Sequence, residues 1–286
     1  MAHMLKAVLA TVLAPEEAAQ VYSAFDQIGD IVIIKVPDSL TGKKKVIADA
    51  ILANVKTAKA VFAQASAVKG DFRVRDLEHL AGDNRTVTEY KEHGCRFKVD
   101  VARAYFSPRL STERQRIASL IKDDEVIVNM FAGVGTYSII AAKANHTCKV
   151  YSIDSNPVAN DLCVQNARLN KLSDRVFPIC ADAAEAIKTQ LVGAADRVLM
   201  PLPERAREFI GPAVAALNEK GMVHYFAHVK ADAKKAAKDL GSQDAASAFS
   251  GHEHKVVETT VVREVGPRIY QIVADVQVTK KRRKED

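Results

Sequence analysis

The chain has 286 residues, about half of them apolar, which suits a catalytic-sized core domain with a smaller one beside it. No apolar run approaches the roughly 18 residues of a membrane span, and no basic segment leading into an apolar stretch opens the chain, so neither a membrane anchor nor a secretory leader is expected. Lysine and arginine number 41 against 35 acidic residues, a net charge of +6 that permits a phosphate-rich partner without requiring one.

Taken in order, Ile31–Val36 reads as a strand and Lys43–Asn54 as a helix. Ala58–Gln64, Arg73–Arg75, Thr86–Tyr90 and Arg96–Val101 read as short strands separated by Gly70, Gly82 and Gly94. These segments form a small α+β domain, residues 1–112. A break near Ser111–Gln115 leads to a second domain, residues 113–286. There Glu125–Met130 is a strand and Tyr137–Ala144 a helix. Lys149–Ile153 is a strand ending at Asp154, and Asn156-Pro157 opens a helix through Leu169, because an asparagine before an early proline is a helix start. Val176–Cys180 and Arg197–Met200 are further strands. Pro201-Leu202-Pro203 precedes a helix over Glu204–Leu217, and Met222–Phe226 is a fifth strand after a stop at Gly221. This alternation predicts a parallel sheet with helices on both faces. Val256–Val262 and Ile269–Val278, joined by Glu264–Arg268, predict a closing antiparallel hairpin.

The cysteines Cys95, Cys148, Cys163 and Cys180 form no C-x-x-C pair and read as small buried apolar residues in a reducing cytosol. His252-x-His254 is a weak metal-like pair, better read as exposed loop histidines, so no metal is expected. The densest basic runs are Lys43–Lys45 and the tail from Lys280 to Lys284. Each alone is an ordinary solvated run.

The loop Phe131-Ala132-Gly133-Val134-Gly135 lies between a strand and a helix, where glycine lets the chain turn tightly and approach a ligand. Ser138 stands where a dinucleotide fingerprint has its third glycine, which argues against NAD. Asp154, 19 residues past Gly135, sits at the end of the next strand, where a carboxylate accepts from ribose hydroxyls. Its ordinary alternative is a helix N-cap. Asp182, at the end of the third strand, is placed to meet an adenine amine, with Ser155 and Ala183 beside these two acids. Loop, acids and terminal hairpin together predict an α/β, Rossmann-like class I methyltransferase domain that binds S-adenosylmethionine.

Several blocks carry a resemblance. Lys91-Glu92-His93-Gly94-Cys95-Arg96-Phe97-Lys98-Val99-Asp100, Tyr105-Phe106-Ser107-Pro108-Arg109-Leu110-Ser111-Thr112-Glu113-Arg114, Asn129–Gly135, Ile153–Pro157 and Asp196–Pro203 closely resemble archaeal tRNA (guanine-37-N1) methyltransferases. The resemblance runs from about residue 30 to the end. It departs from the family pattern at Asn129, where the family has Asp, and at Pro201, where the family has Asn. The chain is also expected to begin after an additional N-terminal module that family members often carry. Pro201-Leu202-Pro203 resembles the branch tied to wyosine synthesis, which also methylates C7 of 4-demethylwyosine. Proline offers a base no side-chain donor or acceptor, so the site would admit a larger ring.

The resemblance implies a residue-level mechanism. Guanine N1 carries a proton at neutral pH, so its methylation needs a base and a positive group for charge building on O6. The base is assigned to Glu113, although spacing alone reads it as a solvated first-turn glutamate. The positive group is Arg73 or Arg75, whose alternation alone reads as an exposed strand face. Arg109 and Arg114 are assigned to the methionine carboxylate or a phosphate, and Tyr105 to packing on a cofactor or target ring. Ser107, Phe131, Gly133 and Gly135 complete the cofactor set. The expected partner is tRNA, whose position-37 base lies in a single-stranded loop and can be splayed out, with Lys43–Lys45 touching phosphates. No protein partner is called for; a cytoplasmic monomer is expected. The alternatives are a methyltransferase confined to the wyosine precursor or an aminocarboxypropyl transferase using the same cofactor.

Overall fold

The computed structural model describes residues 9–10, 12–20, 25–65, 74 and 76–280. Arg73, Arg75 and the basic tail beyond Lys280 lie outside them. The chain divides into two compact units, 1–109 and 110–286.

The first unit contains α1 (Pro15–Gln20), β1 (Asp26–Ile28), β2 (Ile31–Ile34), α2 (Lys44–Asn54), β3 (Ala60–Gln64), β4 (Leu77–Gly82), β5 (Val87–Glu92) and β6 (Cys95–Asp100). A four-stranded sheet runs β1-β2-β3-β4, with β2 and β3 parallel and the outer pairs antiparallel. All four residues of β2 are buried, as a β-branched run covered on both faces should be. Ile47 and Ile51 of α2, one turn apart, pack with Val32, Val61 and Leu80. β5 and β6 form a separate hairpin. Its two-residue turn is His93-Gly94, both at positive φ, the geometry that matches strand twist.

The second unit contains α3 (Ser111–Ser119), β7 (Val126–Asn129), α4 (Thr136–Ala144), β8 (Lys149–Asp154), α5 (Pro157–Leu169), β9 (Val176–Cys180), α6 (Ala183–Ala186), β10 (Ala195–Met200), α7 (Ile210–Ala216), β11 (Leu217–Lys230), α8 (Lys234–Ala248), β12 (Glu253–Gly266) and β13 (Ile269–Thr279). Its seven-stranded sheet has the order β12-β13-β11-β10-β7-β8-β9. From β11 to β9 all neighbours are parallel; β13 lies antiparallel between β11 and β12. The expected closing hairpin is therefore present, and it completes the sheet.

Four sequence expectations need correction. Gly221 does not stop the chain before β11 but lies inside it. A Cβ there would meet the Asp196 carbonyl oxygen at 2.6 Å, so the residue is glycine because two strands approach closely. The helix expected over Glu204–Leu217 is shorter, a 3-10 turn at Ala206–Phe209 followed by α7, and Leu217 already begins β11. Cys180 is exposed, unlike the three buried cysteines, because it ends β9 at the rim of the sheet. His254 is not in a loop: it sits half-buried in β12 and contacts the Phe249 ring. α8 and β4 were not anticipated. Among the described residues no helix is long and apolar enough to cross a membrane.

Candidate active site

Of the five parallel strands, four carry at their carboxyl ends, in spatial order, residues singled out for the target base or the cofactor. Pro201 follows β10, the glycine loop follows β7, Asp154 ends β8, and Asp182 follows β9. In open α/β sheets this carboxyl edge is where ligands bind, because loops there leave crevices and helix N-termini point into them.

The loop is built from its own backbone constraints. Gly133 (φ 55°) and Gly135 (φ 88°) are both left-handed. A Cβ on Gly135 would lie 2.6 Å from Cys163 Sγ, so this glycine lets α5 pack on the loop. Asn166 of α5 donates to the Val134 carbonyl at 3.0 Å, a second tie. Asn129, fully buried, donates to Ser138 Oγ at 3.1 Å and accepts from the Phe131 amide. The asparagine that departs from the family pattern thus shapes the turn, and Ser138 is its partner.

Asp154 is not the helix cap. Asn156 caps α5, accepting from Val158 and Ala159. Asp154 accepts from the Gly133 amide at 2.6 Å on one oxygen and the Asn156 amide at 2.9 Å on the other. Each carboxylate oxygen has a second lone pair, so the residue can hold the loop and still receive two ligand hydroxyls. Burial pushes its pKa up, and the two amide bonds pull it partly back. Asp182 is exposed and caps α6 through Oδ1, with Ala183 buried as the first helical residue. Ser155 is exposed beside Asp154. Phe131 is half-buried, its ring edge-on to Phe209 at 5.0 Å. These acceptors and the Phe131 ring fit an adenosyl group bearing a ribose diol.

Glu113 and Arg114 are where sequence reasoning was weakest. Both are buried in the first turn of α3, on the same face as Ile117 and Ala118. The Arg114 guanidinium lies 5.9 Å from the centre of the Tyr137 ring, within cation–π range. Since Tyr137 is in the first turn of α4, the start of α3 lies beside the helix that the glycine loop opens into. Glu113 accepts from Arg116 through both oxygens at 2.7–3.1 Å. Burial pushes its pKa above the ordinary glutamate value; Arg116 offsets part of that, and Asp275 adds to it. A solvated glutamate was the bland expectation; the i, i+4 spacing to Ile117 was the sign against it.

Other assigned residues belong to the first unit. Tyr105 and Ser107 are half-buried, while Arg109 is exposed and pairs with Asp26 at 2.9 Å. Lys43, Lys44 and Lys45 are engaged with Glu17, Glu78 and Asp49 in turn, so the basic run is largely matched by its own unit's acids. Arg73 and Arg75 fall outside the described residues.

A cleft of about 690 Å³ lies elsewhere in the second unit, at the amino edge of the sheet. Glu125, Arg197, His224 and Asp275 line it. Sequence reasoning missed these residues. Their sign was an ionisable side chain set directly against apolar neighbours inside a strand: Arg197 before Val198 in β10, His224 between Val223 and Tyr225 in β11, and Asp275 between Ala274 and Val276 in β13.

Comparison with known proteins divides the chain near residue 87, ahead of most of the β5–β6 hairpin and not at the 109/110 boundary of the two compact units. A family described as the TRM5/TYW2 methyltransferase domain matches residues 88–248, and one described as the TYW2 N-terminal domain matches residues 5–86. The chain is 39% identical over 258 residues to Trm5b of Methanocaldococcus jannaschii, a tRNA (guanine(37)-N(1))-methyltransferase, covering 90% of this chain and 72% of that one. It is 33% identical to Taw21 of Saccharolobus solfataricus, a tRNA 4-demethylwyosine(37)-methyltransferase, covering 92% and 96%. It is 36% identical over 203 residues to a tRNA(Phe) (4-demethylwyosine(37)-C(7)) aminocarboxypropyltransferase of Methanocaldococcus jannaschii, covering 70% and 76%. The solved complex of aTrm5 with tRNALeu superimposes with a TM-score of 0.84 at 35% identity, covering 98% of this chain and 79% of that one.

Proposed function

This chain belongs to the TRM5/TYW2 methyltransferase family, whose cofactor is S-adenosylmethionine, and from that premise we propose that it methylates N1 of guanine-37 in tRNA. The observation that carries the choice is Glu113: a buried carboxylate of raised proton affinity, at the start of α3 and beside the glycine-loop helix. N1 is the position on guanine that must give up a proton as it gains a methyl group, and a carboxylate held this way suits that task. Bound S-adenosylmethionine supplies a methyl group on sulfonium, already a good leaving group. The protein's own part is to position the two reactants and take the proton. Asp154 and Asp182 are assigned to the ribose and adenine ends, Arg114 to the methionine carboxylate or a phosphate. Phe131, Gly133, Gly135, Ser155 and Ala183 form the surrounding wall, with Pro201 beside the target base. On the first unit, Tyr105, Ser107 and Arg109 are assigned to cofactor or tRNA, and Arg73 or Arg75 to the guanine O6.

The relatives divide over what they do at position 37, so family membership alone does not choose between N1 methylation, methylation of the wyosine precursor and aminocarboxypropyl transfer. The expected second activity, methylation of C7 of 4-demethylwyosine, rested on Pro201 and is not supported by the comparisons. The proposal is confined to N1. We further propose that it acts as a monomer and in the cytoplasm, where tRNA is modified.

The test is transfer from S-adenosylmethionine to tRNA carrying guanine-37 or 4-demethylwyosine-37, with nucleoside mass spectrometry. The expected product is 1-methylguanosine from the first substrate. An aminocarboxypropyl adduct, or modification of the precursor alone, would refute the proposal. Glu113→Ala is expected to slow N1 methylation by about 100-fold or more while S-adenosylmethionine binding stays within a few-fold. Full N1 activity in that variant would remove Glu113 as the base.

A further inference from the structure

Glu113 is the end of a buried chain of ionisable groups within the second unit. Arg116 binds Glu113 on one side and both oxygens of Asp275 on the other, at 2.7 and 3.0 Å. Asp275 Oδ1 meets His224 Nδ1 at 2.7 Å, and Arg197 Nη1 meets His224 Nε2 at 2.7 Å. A guanidinium only donates. His224 therefore accepts at Nε2, carries its proton on Nδ1 and donates it to Asp275. The imidazole is neutral, in keeping with the burial that pushes its pKa down. Arg197 continues to Glu125 through two bonds of 2.6 and 2.9 Å, and also donates to the Leu120 carbonyl at the end of α3.

This chain of bonds pins α3 at two points. Arg116 ties its middle to β13, and Arg197 caps its last turn from β10. His224 is level with Leu199, the next-to-last residue of β10, while Arg197 lies two residues nearer the amino edge. α3 thus runs against the parallel strands and delivers its first turn, with Glu113, toward the carboxyl edge where the cofactor candidates lie. The charge count is also unbalanced. Three carboxylates face two guanidiniums and a neutral imidazole, leaving one negative charge in excess. Uptake of a proton by Glu113 removes it.

We propose that Asp275 and Arg116, braced by His224, Arg197 and Glu125, are positioning residues that govern how Glu113 is held and how readily it takes the N1 proton. The inference rests on the reading of Glu113 as the base. The charged groups facing Glu113 are Arg116 from its own helix and Asp275 from β13; the other members act through these two. In the reaction the N1–H bond breaks and the proton goes to a Glu113 oxygen; the N1 electron pair forms the new bond to the methyl carbon while the methyl–sulfur bond breaks, its pair leaving on sulfur as the neutral thioether S-adenosylhomocysteine.

The test is the pH dependence of single-turnover methyl transfer to a tRNA transcript with guanine at position 37. In the unaltered protein the rate rises with pH as Glu113 ionises. Asp275→Asn removes a negative charge facing Glu113, so its rising limb moves to lower pH by about one unit. Arg116→Lys keeps the positive charge but loses the fork that grips both carboxylates, so its limb moves to higher pH. Both variants lose about tenfold in plateau rate, with the Kd for S-adenosylmethionine within about twofold. Limbs that stay put in folded variants, or move in the same direction, overturn the inference. If Asp275→Asn does not fold, the direction of the Arg116→Lys shift decides. Glu113→Gln separates the two layers. Unchanged N1 methylation in it defeats the reading of the base itself, whereas an inactive Glu113→Gln with unmoved limbs in the other two defeats only the positioning role.

Discussion

Asp154 holds the Gly133 and Asn156 amides with one oxygen each and keeps a lone pair on both for a ligand. Asp154→Asn keeps the shape but turns one acceptor into a donor that faces an amide N–H. The expected result by calorimetry is at least a tenfold weaker Kd for S-adenosylmethionine, about 1.4 kcal/mol, with methyl transfer largely restored at saturating cofactor. An unchanged Kd would remove Asp154 from the binding set. Asp275 makes a different kind of prediction. Burial alone would raise its pKa, but the bonds from His224 and Arg116 overcome that and hold it well below the usual carboxylate range. A carboxylate depressed in the folded state stabilises the fold above its unfolded value and loses that contribution as pH falls through the folded one. Stability should therefore decline below about pH 4. In Asp275→Asn that acid-side slope flattens, and stability at neutral pH drops by about 3 kcal/mol. Denaturant midpoints measured from pH 2 to 7 check both; equal acid slopes in the two proteins would contradict the assignment.

Among the elements, α5 packs against the glycine loop with no room for a side chain at Gly135. At Gly135 an added methyl meets both the Cys163 sulfur and a left-handed backbone. Gly135→Ala should cost about 3 kcal/mol, partly steric and partly from the φ of +88°. In a Cys163→Ala background the steric part is relieved and the backbone part remains, so the two substitutions are coupled rather than additive. Equal costs in both backgrounds would show that the sulfur contact does not matter. Burial pushes the Cys163 thiol up to about 12, so its role here is volume and not thiolate chemistry. α3 behaves as an element in the same sense. Its first turn buries Glu113 and Arg114 because the next turn buries Ile117 and Ala118 on the same face, and a helix cannot turn one without the other.

For the molecule as a whole, the C-terminal hairpin is structural and also supplies Asp275. β13 lies between β11 and β12, and Ile272, Val273, Ala274, Val276 and Val278 are fully buried along it. Ending the chain after Gly251 would leave the long β11 as an open edge and strip those side chains from the core. Such a truncated protein should lose cooperative thermal unfolding and S-adenosylmethionine binding together. Cooperative melting with intact binding would mean that the parallel strands suffice alone. In the first unit the basic run Lys43–Lys45 is spent on ion pairs with neighbouring acids, so net charge is a poor guide to where a phosphate would sit.

The alternation of the parallel strands with most of their helices in the second unit, the cap at Asn156, the glycine loop and the terminal hairpin were legible in the chain, because each depends on local signals: alternation, capping, tight turns. β4 and α8 were not, since Leu77–Gly82 and Lys234–Ala248 carry too little apolar periodicity and owe their form to the sheets they pack on. The positions of the glycine loop, Asp154 and Asp182 at the ends of their strands were legible for the same local reason. The ionisable chain behind Glu113 was not. Its directly bonded partners lie up to 159 positions apart, and nothing local to any one of them points to the others. Their meeting depends on strand register, on β13 lying beside β11 and on α3 crossing that face. Burial then makes every unpaired charge costly, and so decides which of them must touch.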